Sequence, residues 1–293
     1  MSQTNGQGRP LVQINDLHHI YLRGTPLEVT ALKGVTMEVC EGESIGIIGR
    51  TGAGKSTIVQ HINGLIRPRQ PGKVIIDGQD MSDASIKVKT IRQKVGLVFQ
   101  HPEQQLFERL VGDDIAFGPK KLGMAREERR ERVRWAMEMV GLDFEQFKDR
   151  FTFSLSGGEM RKVAIAGVLA LQPKMLILDE STTGVDPRGR KELLARILEL
   201  RRQHGVTLIF VSPNMEEVAS MVDRLYVIDD GQTVMNGTTR AIFERAEELR
   251  QYGLGVPQVT TVAHRLRERG LAMPRTPLTV AEAEEDIWKI LSS

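Results

Sequence analysis

The chain has 293 residues, 40% hydrophobic and 27% charged, the balance of a globular protein with an ordinary core. Lys and Arg total 40 against 38 for Asp and Glu, so no large basic field exists to hold nucleic acid, and the single cysteine, Cys40, excludes an internal disulfide and suits a reducing compartment. No apolar run approaches the roughly 18 residues of a membrane span and the N-terminus lacks an apolar signal core, which predicts a cytosolic chain that can still dock on a membrane protein.

Residues 1–10 are polar and Gly-rich and read as a disordered tail. From Leu11 to about Asp77, short apolar strands alternate with turns, and a further strand is expected from about Ile91 to Phe99. Between about Glu103 and Ala170 the pattern is helical and charge-rich. Its run "REERRERVR", with Glu128 and Arg132 one helical turn apart, reads as a solvated helix face. Strands return as "MLILDE" (175–180), "VTLIFVS" (206–212) and "RLYVIDD" (224–230). The helix between the first two places Leu193, Leu194, Ile197 and Leu198 on one face. Alternating strands and helices, with strands that are apolar throughout, predict an α/β fold around a buried, mostly parallel sheet. After about Arg240, short amphipathic helices follow. Val259, Val262, Ala263 and Leu266 mark one, and Thr279 with Glu282 reads as a capping box before another. This segment is either a small helical appendage or a helix pair closing the main core.

The stretch "GRTGAGKST" (49–57) follows the apolar strand "SIGII" and precedes a helix-like segment, the context a phosphate-binding loop requires. Gly49, Arg50, Thr51, Gly52, Ala53 and Gly54 would let backbone N–H groups approach phosphate at a helix N-terminus. Lys55 supplies a point charge for the β- and γ-phosphates, and Ser56, followed by Thr57, a hydroxyl for Mg²⁺. "MLILDE" adds two carboxylates at a strand tip. Side chains alternate along a strand, so Asp179 and Glu180 suit different tasks: Asp179 the Mg²⁺ shell, Glu180 the attacking water.

A second helix N-terminus built for anions appears at "LSGGEMRKVAIAGVLA" (155–170), where Ser156, Gly157 and Gly158 open the helix. This stretch resembles the signature motif of ATP-binding-cassette (ABC) ATPases, with Glu159 where glutamine is commoner. The resemblance covers roughly residues 11–240, with a helical subdomain at about 103–170, and implies the P-loop ABC core: a mostly parallel sheet, an antiparallel β subdomain and a helical subdomain. It also implies a head-to-tail pair, with ATP held between one subunit's P-loop and the other's signature. On the same resemblance Tyr21 stands where an aromatic stacks on adenine, Gln100 joins the Mg²⁺ and water shell, and Asp186 belongs to the loop "STTGVD".

Several stretches are similar, more narrowly, to ATPase subunits of energy-coupling-factor (ECF) transporters, importers of vitamins and transition-metal ions. They are "RGTPLEVTALKGV" (23–35), "STIVQHINGLIRP" (56–68), "VGLVFQHPEQQLFE" (95–108), "DDIAFGPKKLGM" (113–124) and "AIAGVLALQPKMLILDE" (164–180). Gly24-Thr25-Pro26 and Gln60-His61 resemble the second of the two ATPases in such modules. The resemblance implies a groove at 101–124 for a membrane coupling subunit, a C-terminal dimerisation segment at 241–293, a second ABC ATPase as partner, a separate membrane subunit that binds substrate, and a peripheral position on the cytoplasmic face of the membrane. A cytosolic ABC protein of translation or DNA repair fits less well, because this chain carries one cassette and neither a linked second cassette nor a long coiled coil.

One stretch departs from the family. The strand after "MLILDE" should end in a histidine that contacts the γ-phosphate, but "FVSPNMEEVA" puts Pro213 there. Proline has no side-chain donor or acceptor and no backbone N–H. It suits a first helical turn. Asn214 could donate a hydrogen bond or cap the helix. His204, at the opposite end of the strand, cannot substitute without a change of register, and His101 lies by the glutamine. The expectation is a site that binds ATP but hydrolyses it slowly, or a subunit that only binds it; the competing reading is that Glu180 alone suffices, since Lys55, Asp179 and Glu180 are intact.

Overall fold

The computed structural model describes residues 8–182, 185–271 and 273–292. Among these, ten strands run in chain order: β1 (Pro10–Tyr21), β2 (Val29–Cys40), β3 (Ser44–Ile48), β4 (Val74–Ile76), β5 (Gln79–Asp80), β6 (Val95–Val98), β7 (Met175–Asp179), β8 (Thr207–Val211), β9 (Arg224–Asp229) and β10 (Gln232–Thr238). They form an antiparallel sheet of order β2-β1-β4-β5 and a six-stranded sheet of order β10-β9-β3-β8-β7-β6. Residues 1–7 of the expected tail lie outside the described residues. The last part of that segment is held in place, since Arg9 pairs with Asp77 and Pro10 already belongs to β1.

Every residue of β3, β6, β7 and β8 is buried, which is why these segments read as continuous apolar runs. Alternation of side chains across the strands then builds two cores. Ile45, Ile47, Ile177 and Ile209 pack toward Ile58, which lies in the helix after β3. Leu176, Leu178, Leu208 and Phe210 face the opposite layer, with Ile165 and Leu193. The parallel pairing of β7 and β8 sets Asp179 opposite Val211, so the residues after both strands emerge side by side.

The described chain also holds twelve α-helices, besides two short 3-10 turns: α1 (Lys55–Ile62), α2 (Val88–Lys94), α3 (Val111–Lys121), α4 (Arg126–Met139), α5 (Phe144–Phe147), α6 (Gly157–Leu169), α7 (Pro187–His204), α8 (Met215–Met221), α9 (Thr239–Glu244), α10 (Ala246–Gln251), α11 (Gln258–Glu268) and α12 (Val280–Leu291). The strand expected from Ile91 starts only at Val95. Ile91 is the single buried residue of α2, too sparse an apolar pattern for a central strand. On α7 the buried positions are Leu193, Leu194, Ile197 and Leu200; Leu198 is half-buried. The longer reach from Leu193 to Leu200 follows the true helical period of i, i+4, i+7.

The helices of the C-terminal segment pack in two places. Ile242, Phe243 and Leu249 of α9 and α10 belong to the main core. Beyond them α11 and α12 pack on each other, tied back by Arg240 to Glu282 at 2.9 Å. The expected capping box at Thr279 is half made. The Thr279 hydroxyl accepts the Glu282 N–H, but the Glu282 carboxylate turns to the Leu278 N–H and Arg240.

Candidate functional site: a phosphate loop and two strand tips

The P-loop wraps closely enough that its backbone has no room for side chains at two positions. A Cβ at Gly49 would lie 2.2 Å from the Ile228 carbonyl oxygen. Gly54, at φ 103, is the N-cap of α1, and a Cβ there would meet the Ala31 carbonyl at 2.7 Å. Lys55 is nearly buried and turned onto its own loop. Its Nζ donates to the carbonyls of Gly49 (2.9 Å) and Arg50 (3.0 Å) and lies 3.8 Å from Glu180 Oε1. Burial lowers its pKa, and Glu180 and Asp179 oppose that shift.

The tip of β7 brings the predicted carboxylates to this loop. Asp179 is 4% exposed, and its Oδ1 has no hydrogen-bond partner. Burial raises its pKa, a hydrogen bond from Ser56 lowers it, nearby Glu180 raises it and Lys55 lowers it. Glu180 leaves the strand in the left-handed region, at φ 49, with its N–H bonded to the Val211 carbonyl at 2.8 Å. Its Oε2 accepts from Gln100 Nε2 at 3.1 Å. A buried, unpartnered carboxylate oxygen beside a hydroxyl and an amide is an oxygen donor set that suits Mg²⁺. Among the described residues there is no cluster of three or more His, Cys, Asp or Glu arranged to hold a metal ion.

The tip of β8 offers different chemistry. The Asn214 side chain accepts the Glu217 N–H at 3.1 Å and caps α8. Pro213 therefore precedes the cap instead of occupying the first helical turn. His204 ends α7 with its ring against Trp135, and His101 pairs with Glu103 at 3.5 Å; neither replaces the missing side chain. A cavity of about 750 Å³ lies between this tip and the P-loop, lined by Gly49 to Thr51, Thr182, Arg190, Ser212 to Glu217 and Gly253 to Val256.

The remaining predicted residues do not line this cavity. Tyr21, at the end of β1, leans on His19 (ring centroids 4.4 Å apart), and its hydroxyl lies 3.2 Å from Thr57 Oγ1. Ser156 caps α6 in a capping box with Glu159, whose carboxylate also pairs with Arg150 at 3.2 Å. Gly157 and Gly158 face open space, and among the described residues no hydrogen bond joins Ser156, Gly157 or Gly158 to the P-loop. Asp186 caps α7 by accepting the Gly189 N–H at 2.9 Å; Thr183 and Gly184 of its loop lie outside the described residues. The sequence reading missed Thr182, Arg190 and Glu217, which meet beside the cavity. Glu217, third in a capped helix, reads as an ordinary first-turn acid, so only its burial betrays it.

Known proteins with this arrangement are ATP-binding cassettes. The ABC transporter family model matches residues 32–183. The energy-coupling factor transporter ATP-binding protein EcfA2 of Clostridium perfringens is 46% identical over 280 residues, covering 96% of this chain and 98% of its own. Its namesake from Symbiobacterium thermophilum is 47% identical over 274 residues, covering 94% of each chain. Among solved structures, cbiO1 of Clostridium perfringens, part of the ABC transporter complex cbiONQ, superposes with a TM-score of 0.72 at 34% identity, over 88% of this chain and 99% of that one. The dimeric cassette MJ0796 bound to ADP and Pi superposes at 0.71 with 28% identity, over 78% and 99%. The chain thus belongs to the ABC transporter family, as an ATPase of the energy-coupling factor transporter group.

Proposed function

We propose that this chain binds Mg–ATP at its P-loop and powers an ECF-type importer of vitamins or transition-metal ions from the cytoplasmic face of the membrane, paired with a second ABC ATPase. The observation that carries this reading is the convergence of Lys55, Gln100, Asp179 and Glu180 at one strand tip. Lys55, Ser56, Thr57 and the bare backbone of residues 49–54 would hold the phosphates, and Tyr21 the adenine. Ser56, Gln100 and Asp179 would hold Mg²⁺, which screens phosphate charge when bound. Glu180 is placed to accept a proton from the attacking water, and its bond to Gln100 fixes the carboxylate until the nucleotide arrives. Lys55 must leave the Gly49 and Arg50 carbonyls to meet phosphate, which exchanges two neutral acceptors for a charged one.

Ser156, Gly157 and Gly158 would close on the partner's nucleotide, and the open space above the two glycines supports this. Asp186 orders the start of α7 in the loop beside that contact. No described helix is long and apolar enough to cross a membrane. The membrane coupling subunit would dock near 101–124, where exposed Phe107 meets Phe117 edge to face; Phe151 and Phe153 are exposed as well. Exposed Val280, Trp288 and Leu291 on α12 supply an apolar face for the C-terminal pairing. A separate membrane subunit would bind the substrate.

Pro213 favours a second reading, an ATP-binding regulatory subunit without turnover of its own. Mg–ATP turnover by this chain at dimer-favouring concentration, beside E180Q, separates them. Turnover lost in E180Q supports hydrolysis at this chain's own site; turnover no greater than in E180Q, with ATP still bound, supports the quiet subunit.

A further inference from the structure

Glu217 is one of the few carboxylates this fold buries, at 8% exposure, and it faces three different segments. Its Oε2 accepts from Thr182 Oγ1 and from Ser212 Oγ, each at 3.1 Å. Its Oε1 pairs with Arg190 Nε at 3.0 Å. Thr182 lies two residues after Glu180. Ser212 follows β8 and leads to Pro213, and its hydroxyl also accepts the Asn214 N–H at 3.1 Å. Arg190 lies one turn into α7, after Asp186. Each segment therefore carries one element of the proposed site, and each is tied to the same carboxylate.

A buried carboxylate is costly unless charge and hydrogen bonds compensate it. Here one guanidinium and two hydroxyls do so, and all three come from outside α8. The arrangement is thus worth more to the relative position of those loops than to the helix that bears Glu217. We infer that Glu217 is a positioning residue for hydrolysis: it sets the loop after Glu180 against the loop before Asn214. The need is acute in this chain because Pro213 gives the second loop no side chain with which to hold the phosphate end itself. The hub touches neither the P-loop lysine nor the magnesium-binding oxygens, so its loss should spare nucleotide binding. This inference rests on the hydrolytic reading above.

The test uses the full chain with E217Q, E217A and E180Q. In E217Q one oxygen still accepts from the hydroxyls, but the new amide donor faces the Arg190 donor. E217A removes all three bonds. Mg–ATP kcat is expected to fall about tenfold in E217Q and further in E217A, with KM within about twofold of wild type. Amide hydrogen exchange in E217A should quicken together at residues 180–182 and at Ser212 and Asn214. Wild-type kcat in E217A, an equal loss in binding and kcat, or exchange that quickens in α8 alone overturns the inference. If E180Q turns over ATP as the wild type does, the hydrolytic reading falls instead, and the exchange pattern alone decides whether Glu217 couples the two loops.

Discussion

The tips of β7 and β8 belong to parallel neighbours in one sheet, in register and equally buried, yet they differ in what they present. β7 ends in two carboxylates, one of them bent out of the strand at φ 49. β8 is followed by a hydroxyl that joins the Glu217 carboxylate to the Asn214 N–H, a proline, and an amide that caps α8. The first tip keeps unsatisfied polarity, such as Asp179 Oδ1, at a cost in stability; among the described residues the second satisfies its own polar atoms. The unpartnered group thus lies at the β7 tip, while the tip with Pro213 has its polar atoms satisfied.

Four substitutions break or sharpen this contrast. The largest effect should come from E180Q, which removes the base while keeping a group for Gln100 to meet; Mg–ATP turnover is expected to drop at least about a hundredfold. P213H would return a donor to β8 and make the two tips alike. We expect turnover to rise about tenfold in the assembled transporter, and unchanged turnover would remove the main support for a slow site. D179N tests the stability cost. Burial raises the Asp179 pKa, so the penalty for ionising it appears as pH climbs past the unfolded value and is complete above the folded one. At neutral pH D179N should therefore melt higher, by about 2–4 °C per kcal/mol relieved, and the gain should vanish at acid pH; Mg–nucleotide should no longer stabilise this variant. The smallest change is N214A, which removes a helix cap worth about 1 kcal/mol and should lower Tm by about 2–4 °C without altering nucleotide affinity.

Much of the candidate site could be named from the sequence because its motifs are local. The P-loop, the Asp179-Glu180 pair and the Ser156 cap each depend on a few consecutive residues, and the central strands advertise themselves by being apolar throughout. Boundaries set by weak local patterns were less legible: Ile91 reads as strand and packs as helix, and Val262 reads as part of an apolar stripe but is exposed on α11.

What the sequence by itself determined was the α/β class, the phosphate loop, the acidic strand tip and the absence of a side chain at Pro213 able to hydrogen-bond, since each rests on residue type and spacing. Only the tertiary structure decided that Asn214 commits its side chain to a cap, that Gln100 holds Glu180 from 80 residues away, and that Glu217 gathers Thr182, Arg190 and Ser212. Those contacts join distant segments brought together by the parallel sheet and its crossing helices, and no periodicity along the chain encodes which buried partner a side chain will meet.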